Sequence, residues 1–192
     1  PISINTFLLA DAEVVPHPVD EEGMVLNERP CDYYYVTPGH QVPTGVTMSS
    51  ARRRQLLEHA ARHDAVIIED DYDSESNFTL NPLPALKASD RSGRVVYVSS
   101  LSKALSPGLR LGFMVADPDL IDEARALRRL VYRHPPTNIQ YQMAHFLALG
   151  HYETHLRRYH YDSAQRWERL HAALQRYLPS CRALAGSEHA NA

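Results

Sequence analysis

Short apolar runs alternate with polar turns along the first part of the chain. This pattern predicts strands at 12–19, 31–37, 65–68, 95–98 and 111–115. A helix is expected between the second and third strands, because Ser49 or Ser50 can cap a segment that continues to about His63 with apolar residues at three and four spacing. The run AVII at 65–68 is continuously apolar, which is typical of a strand buried on both faces. Strands that alternate with helices indicate an α/β domain with a mostly parallel sheet.

After about residue 119 the apolar spacing becomes helical. Helices are predicted at 120–132, 137–149 and 152–177, and the last is long and rich in Arg, His and Tyr. The chain begins at Pro1 without an initiator Met, so we interpret it as a fragment of a longer protein. We expect residues 1–178 to form part of one domain, and residues 179–192 to be a tail or the start of a missing smaller domain.

Composition narrows the function classes. The formal net charge is −3 and the sequence pI is near 6.4, so the chain lacks the basic field of a DNA-binding domain. No apolar run is long enough to span a membrane and no signal peptide is evident, so a cytoplasmic protein without membrane contact is expected. Cys31 and Cys181 are expected to be unpaired thiols. His151 and His155 lack an acidic base in the metalloprotease position, so no metal site is predicted.

Three polar clusters follow predicted strands. They are the loop at 40–45, the acidic group at 70–72 and the Ser/Lys group at 100–103. Ligands of parallel sheets sit beyond the carboxyl ends of the strands, so all three clusters are expected on one edge. The remaining charges near them have plainer interpretations: the run Arg52–Arg54 is expected on the exposed face of its helix, and Glu69, Asp71 and Asp73 are expected to be structural or solvated.

Lys103 stands out because the chain contains 18 Arg but only two Lys. Unlike a guanidinium, a primary amine can lose its proton and attack a carbonyl. Ser100 and Ser102 precede Lys103, and Arg110 follows it by seven residues. Hydroxyls, backbone N–H groups and a guanidinium are suited to holding a dianionic phosphate. The segment therefore indicates an amine that reacts with an aldehyde beside a phosphate anchor.

Asp70 and Tyr72 end a predicted strand at the same edge. A carboxylate that faces a pyridine nitrogen keeps this nitrogen protonated, which lets the ring accept electrons from a substrate carbanion. A phenol two residues further on can donate a hydrogen bond to the ring oxygen. Both residue types suit a pyridine-based cofactor.

The strings VTPGHQVPTG, IIEDDYDSE and SLSKALSPGLRLG, in this order and spacing, resemble the fold-type-I aminotransferase superfamily. They are most similar to the aminotransferase-like domain of MocR/GabR-type regulators of the GntR family, from about residue 8 to residue 178. The resemblance implies the large domain of that fold, ending in a long helix, and pyridoxal 5'-phosphate as cofactor. It implies that Lys103 forms the Schiff base, that Asp70 pairs with the pyridine nitrogen and that Tyr72 contacts the ring oxygen. The implied phosphate ligands are Ser100, Ser102 and Arg110.

One departure from the aminotransferase pattern favours the regulator branch. Aminotransferases usually place Asn before Pro-Thr-Gly, whereas this chain has Val42, similar to the apolar residue common in MocR-type proteins. The winged-helix region, the phosphate-cradling loop with its stacking aromatic, and the small domain with its carboxylate-binding Arg have no counterpart in these residues. His40 and Gln41 either reach the cofactor or only shape their loop.

The sequence therefore predicts an effector domain of a transcription regulator, in which a small amine or amino acid reacts with the cofactor. DNA would be bound only through a winged-helix domain absent from this chain. The alternative is a catalytically active aminotransferase, which would share the same site. A scaffold that has lost its cofactor is less favoured, because buried charges without their ligand are destabilising. The resemblance also implies a homodimer, with the loop at 133–137 reaching toward the partner's site.

Overall fold

The computed structural model describes residues 2–27, 29–76, 83–134 and 136–179. The predicted tail beyond residue 179, with Cys181, and Pro135 of the predicted partner-facing loop lie outside the described residues. The elements in chain order are α1 (Ile2–Leu9), β1 (Val19–Asp20), β2 (Gly23–Met24), β3 (Tyr33–Val36), α2 (Ser50–Arg62), β4 (Val66–Asp71), α3 (Leu86–Ser89), β5 (Val95–Ser100), β6 (Gly112–Val115), α4 (Pro118–Tyr132), α5 (Thr137–Ala148) and α6 (His151–Tyr177).

The main sheet has four strands in the order β3-β4-β5-β6. The first three strands are parallel, and β6 runs antiparallel to β5. The α/β fold with a mostly parallel sheet and a long final helix is thus confirmed. The prediction of a strand at 12–19 was wrong, because only Val19 belongs to a strand, a two-residue hairpin partner of β2. Pro16 and Pro18 lack the amide hydrogen that a strand ladder needs.

One face of the sheet forms the core. Tyr34 and Val36 of β3, Ile67 of β4 and Val95 of β5 lie on this face and are at most 3% exposed. They pack against the apolar side of α2, where Leu56 is fully buried. The helix begins as predicted, because the Ser49 side chain accepts a hydrogen bond from the amide of Arg52.

Arg53 corrects the expectation that the arginine run lies on an exposed helix face. Arg53 is only 8% exposed and donates hydrogen bonds to three carbonyl oxygens, those of Met48 at 2.9 Å, Pro38 at 2.9 Å and Pro84 at 2.8 Å. Arg52 is also largely covered and pairs with Asp20 at 2.9 Å, and Arg54 alone is exposed. Arg53 therefore fastens both ends of the loop between β3 and α2.

Glu69 is a structural carboxylate on the core face. Its two oxygens accept the amide hydrogens of Leu86 at 2.7 Å and Lys87 at 2.9 Å, which anchors the start of α3 to β4. Burial raises the pKa of Glu69, although these amides and the nearby Arg53 oppose the rise. The structural role expected for Glu69 agrees with this placement.

Candidate functional site

The three polar clusters lie where β3, β4 and β5 end. Because these strands are parallel, the loop at 40–45, the turn after Asp71 and the segment after Ser100 share one edge of the sheet. Contacts join side chains from all three loops, namely those of His40, Tyr72, Asp73 and Lys103. The edge is therefore one assembled site.

Tyr72 links the first and third loops. Its hydroxyl donates a hydrogen bond to the carbonyl oxygen of His40 at 3.0 Å, and its ring lies under the Lys103 amine, with Nζ 4.2 Å from the ring centroid. Burial raises the pKa of Tyr72, and the carboxylates of Asp73 and Asp70 raise it further. The phenol therefore keeps its proton at neutral pH and remains a hydrogen-bond donor.

Asp73 lies between His40 and Lys103. One of its oxygens, Oδ1, is 3.8 Å from Lys103 Nζ, and the other, Oδ2, is 3.4 Å from His40 Nδ1. The Asp73 side chain is 21% exposed, whereas that of Lys103 is 50% exposed. The expectation that Asp73 is only structural or solvated therefore missed a contact with the central amine. The available signal was its position one residue after Tyr72, in a turn at the edge that carries Lys103.

Asp70 and Asp71 face opposite sides of the sheet, as neighbours on a strand do. Asp70 shares the face of its strand partner Val98 and accepts a hydrogen bond from the hydroxyl of Tyr35. Asp71 accepts a hydrogen bond from Tyr97 at 2.8 Å on the core face. Burial raises the pKa of Asp71, and burial together with this bond raises the pKa of Tyr97 to about 12. Asp71 is thus structural, and Asp70 stays the predicted pyridine partner.

The predicted phosphate ligands surround the turn that carries Lys103. The Ser100 hydroxyl accepts the amide hydrogen of Ser102 at 3.2 Å, so both serines belong to one tight turn after β5. Arg110 follows the 3₁₀ turn Pro107–Leu109 with a φ of 47°. It is exposed, and within the described part of the chain no carboxylate lies within ion-pair distance of its guanidinium. This charge is available to an anionic ligand.

Helix α6 fastens two of the three loops. His155 Nε2 donates to the carbonyl oxygen of Ala104 at 2.6 Å, directly after Lys103. His160 Nε2 donates to the carbonyl oxygen of Glu75 at 2.7 Å, and the Tyr152 hydroxyl donates to a Glu75 carboxylate oxygen at 2.9 Å. The sequence suggested only the question of a metal site for His155, and the hydrogen bonds of both histidines to the loops depend on the fold.

The described residues contain neither a metal-binding cluster nor a membrane-spanning helix. Within them, no group of three or more His, Cys, Asp or Glu side chains is arranged to hold a metal ion. No helix in the same ranges has the length and apolar character needed to cross a membrane.

A parallel-strand edge that collects a lysine, an aspartate, a tyrosine and serine hydroxyls is the arrangement of an aminotransferase-type domain. The family model "Aminotransferase class I and II" matches residues 36–185. The chain belongs to this family.

Curated relatives include transcription regulators. The chain is 40% identical over 177 residues to the probable rhizopine catabolism regulatory protein MocR of Rhizobium meliloti, covering 91% of this chain and 36% of that protein. It is 45% identical over 144 residues to the HTH-type transcriptional regulator TauR of Rhodobacter capsulatus, covering 74% of this chain and 30% of that protein. The chain therefore spans about a third of the length of these regulators.

Solved structures of aminotransferases share the fold. The multiple substrate aminotransferase of Thermococcus profundus superposes with a TM-score of 0.84 at 30% identity, over 92% of this chain and 47% of that chain. LysN, the α-aminoadipate aminotransferase of Thermus thermophilus, was solved with N-(5'-phosphopyridoxyl)-L-leucine and superposes with a TM-score of 0.80 at 31% identity, over 93% of this chain and 48% of that chain.

Proposed function

We propose that this chain is the pyridoxal-phosphate-binding effector domain of a MocR/GabR-type transcription regulator. The observation that carries the proposal is the 40% identity to MocR across 91% of the chain, together with the assembled edge around Lys103. In the whole protein, DNA would be bound by a winged-helix domain outside this chain, and this domain would respond to a small amine or amino acid.

The donor set at the edge fits pyridoxal phosphate. Lys103 offers the amine for the aldehyde, and Asp70 offers the carboxylate for the pyridine nitrogen. Tyr72 offers a phenol that keeps its proton, because burial raises its pKa. The hydroxyls of Ser100 and Ser102 and the guanidinium of Arg110 supply neutral and cationic donors for the phosphate. When bound, the cofactor supplies an electrophilic aldehyde and an electron-withdrawing ring.

The borohydride test addresses Lys103 directly. The full-length protein loaded with pyridoxal phosphate should show a visible absorbance band, and borohydride should fix the cofactor on the peptide that contains Lys103. Lys87, the other lysine of the chain, is the matched control, because its amine pairs with Asp90 at 3.2 Å, away from the edge. Loss of the trapped cofactor in Lys103→Arg but not in Lys87→Arg is expected. Trapping on Lys87, or on no lysine of this chain, would refute the proposal.

A catalytically active aminotransferase is the second candidate, favoured by the TM-score of 0.84 to a solved aminotransferase. Val42 favours the regulator, because it stands where aminotransferases usually carry the Asn that bonds the ring oxygen. To separate the two, the full-length protein is incubated with a panel of amino acids and amines. If the protein is a regulator, this incubation should change its affinity for DNA from its own promoter. Sustained turnover between an amino acid and a 2-oxo acid without any effect on DNA affinity would identify an enzyme instead.

The proposed assembly is a homodimer. The segment at 133–137 follows α4, and Arg133 and His134 at its start are exposed. By analogy with fold-type-I proteins, this segment would reach toward the partner's site. Light scattering of the full-length protein at micromolar concentration should give twice the mass of one full-length polypeptide, and a monomeric mass would count against this assembly.

A further inference from the structure

Four side chains at the sheet edge form a closed ring of contacts. Lys103 Nζ faces Asp73 Oδ1 at 3.8 Å, and Asp73 Oδ2 faces His40 Nδ1 at 3.4 Å. The His40 carbonyl accepts the Tyr72 hydroxyl at 3.0 Å, and the Tyr72 ring faces Lys103 again at 4.2 Å. All three loops contribute to this ring, which is defined by His40, Tyr72, Asp73 and Lys103.

Both contacts of the lysine act on its charged form. A carboxylate attracts an ammonium, and the face of an aromatic ring attracts a cation. The ring contact and the carboxylate contact therefore hold a protonated amine. At 3.8 Å the Asp73 contact is a charge contact rather than a short hydrogen bond. Because the lysine side chain is half exposed, this contact can be broken and formed again.

We propose that Asp73 is a positioning residue that holds the Lys103 ammonium in a resting place, with His40 orienting the carboxylate for this purpose. The inference rests on the proposed function. To react, the amine leaves Asp73 and gives one proton to solvent. Its nitrogen then bonds to the aldehyde carbon of pyridoxal phosphate, and the two remaining N–H protons leave with the aldehyde oxygen as water. No atom changes oxidation state in this condensation.

If Asp73 holds the Lys103 ammonium, removing the negative charge of Asp73 should release the amine. Cofactor-free full-length protein is mixed with pyridoxal phosphate at neutral pH, and the visible absorbance band is followed in time. Asp73→Asn should form the band about two- to fivefold faster than wild type, the range expected for loss of a partly exposed ion pair. Asp73→Glu, which restores the charge, should return the rate toward the wild-type value. Asp122→Asn removes an exposed ion pair with Arg125 on α4 and should leave the rate unchanged.

A second reagent distinguishes release of the Lys103 amine from attraction of the cofactor's phosphate. Removing a carboxylate can also draw in the cofactor's phosphate, so the same proteins are labelled with acetic anhydride, which carries no charge. Mass spectrometry of the Lys103 peptide should show the same faster labelling in Asp73→Asn. If only the reaction with pyridoxal phosphate becomes faster, Asp73 does not hold the amine.

Each further outcome tells the proposed function apart from the role of Asp73. If wild type forms no band and borohydride traps nothing on Lys103, the proposed function fails. If wild type is trapped on Lys103 but Asp73→Asn reacts at the same rate or more slowly, the inference alone fails. Equal acceleration in Asp73→Asn and Asp73→Glu would also overturn it, because charge would then not be the cause. Asp73→Ser provides the same charge removal if Asp73→Asn does not fold, as judged by circular dichroism.

Discussion

Replacing Arg53 by alanine tests how the site loop is held. The guanidinium is buried and donates to the carbonyl oxygens of Pro38, Met48 and Pro84 at 2.8 to 2.9 Å. Pro38 and Met48 flank the loop that carries His40, so the substitution removes the fastening of that loop at both ends. It also removes a positive charge near Glu69, whose pKa burial already raises.

The magnitude follows from the groups left without partners. An unsatisfied buried acceptor costs about 1–3 kcal/mol, and hydrogen bonds to charged donors lie at the upper end of the net range. Three such acceptors would cost about 3–9 kcal/mol together, but partial hydration of the exposed Pro84 carbonyl moves the sum toward the lower end. Removing one member of a buried charged cluster costs about 3–5 kcal/mol. We therefore expect the free energy of unfolding to fall by about 3–5 kcal/mol in Arg53→Ala.

The matched control is Arg54→Ala, one residue further on the same helix and exposed, for which a change within about 0.5 kcal/mol is expected. Urea unfolding of the full-length protein gives the free energy, and hydrogen exchange read by mass spectrometry gives the local effect. Amides of the 38–48 loop should lose protection in Arg53→Ala and keep it in Arg54→Ala. Equal midpoints and equal protection of the loop in the two variants would refute the fastening role of Arg53.

Three further substitutions test separate parts of the structure. Asp70→Asn should keep the covalent attachment of pyridoxal phosphate to Lys103 but slow pyridoxamine phosphate formation by orders of magnitude, because an amide cannot hold the pyridine proton as a carboxylate does; rates equal to wild type would mean that Asp70 is not the pyridine partner. Burial raises the pKa of Asp90, but the Val95 amide and further donors more than offset this and lower it to about 2. Asp90 therefore contributes about 2 kcal/mol above pH 4 that is lost as the pH falls toward 2, and acid unfolding curves of Asp90→Asn should lack this loss. Gly112→Ala would place a Cβ 2.7 Å from the Ser99 carbonyl oxygen and should lower stability by about 1–3 kcal/mol in urea unfolding, whereas Gly108→Ala, whose nearest neighbour is 3.7 Å away, should change it far less.

The sequence predicted the elements whose burial produces a recognisable pattern of apolar residues along the chain. Strands β4 and β5 are buried or partly buried along their whole length, so their apolar runs and their polar ends were visible as VIIEDD and VVYVSS. The helix at Ser50–Arg62 was visible from its cap and its spacing. The burial of Arg53 produces no such pattern, because its partners are carbonyl oxygens, which every residue carries. Only the fold shows which carbonyls converge on one guanidinium.

The candidate site was predictable as a set of loops but not as a set of contacts. Parallel strands place their carboxyl ends at one edge, and this alone predicted that Tyr72 and Lys103 would be close. The contact of Asp73 with both His40 and Lys103 depends on the conformation of the turn after β4, which the residue types do not determine. The roles of Asp70, Ser100, Ser102 and Arg110 toward the cofactor stay predictions.

The hydrogen bonds from α6 to the site loops have a consequence for the synthesis of the protein. Ala104 and its partner His155 are 51 positions apart, and Glu75 and its partner His160 are 85 apart. A ribosome adds roughly 5–20 residues per second, so His155 is synthesised about 3 to 10 seconds after Ala104. During this interval the loop that carries Lys103 lacks its hydrogen bond to α6. The loops of Glu75 and Ala104 therefore gain these hydrogen bonds only once α6 has left the exit tunnel.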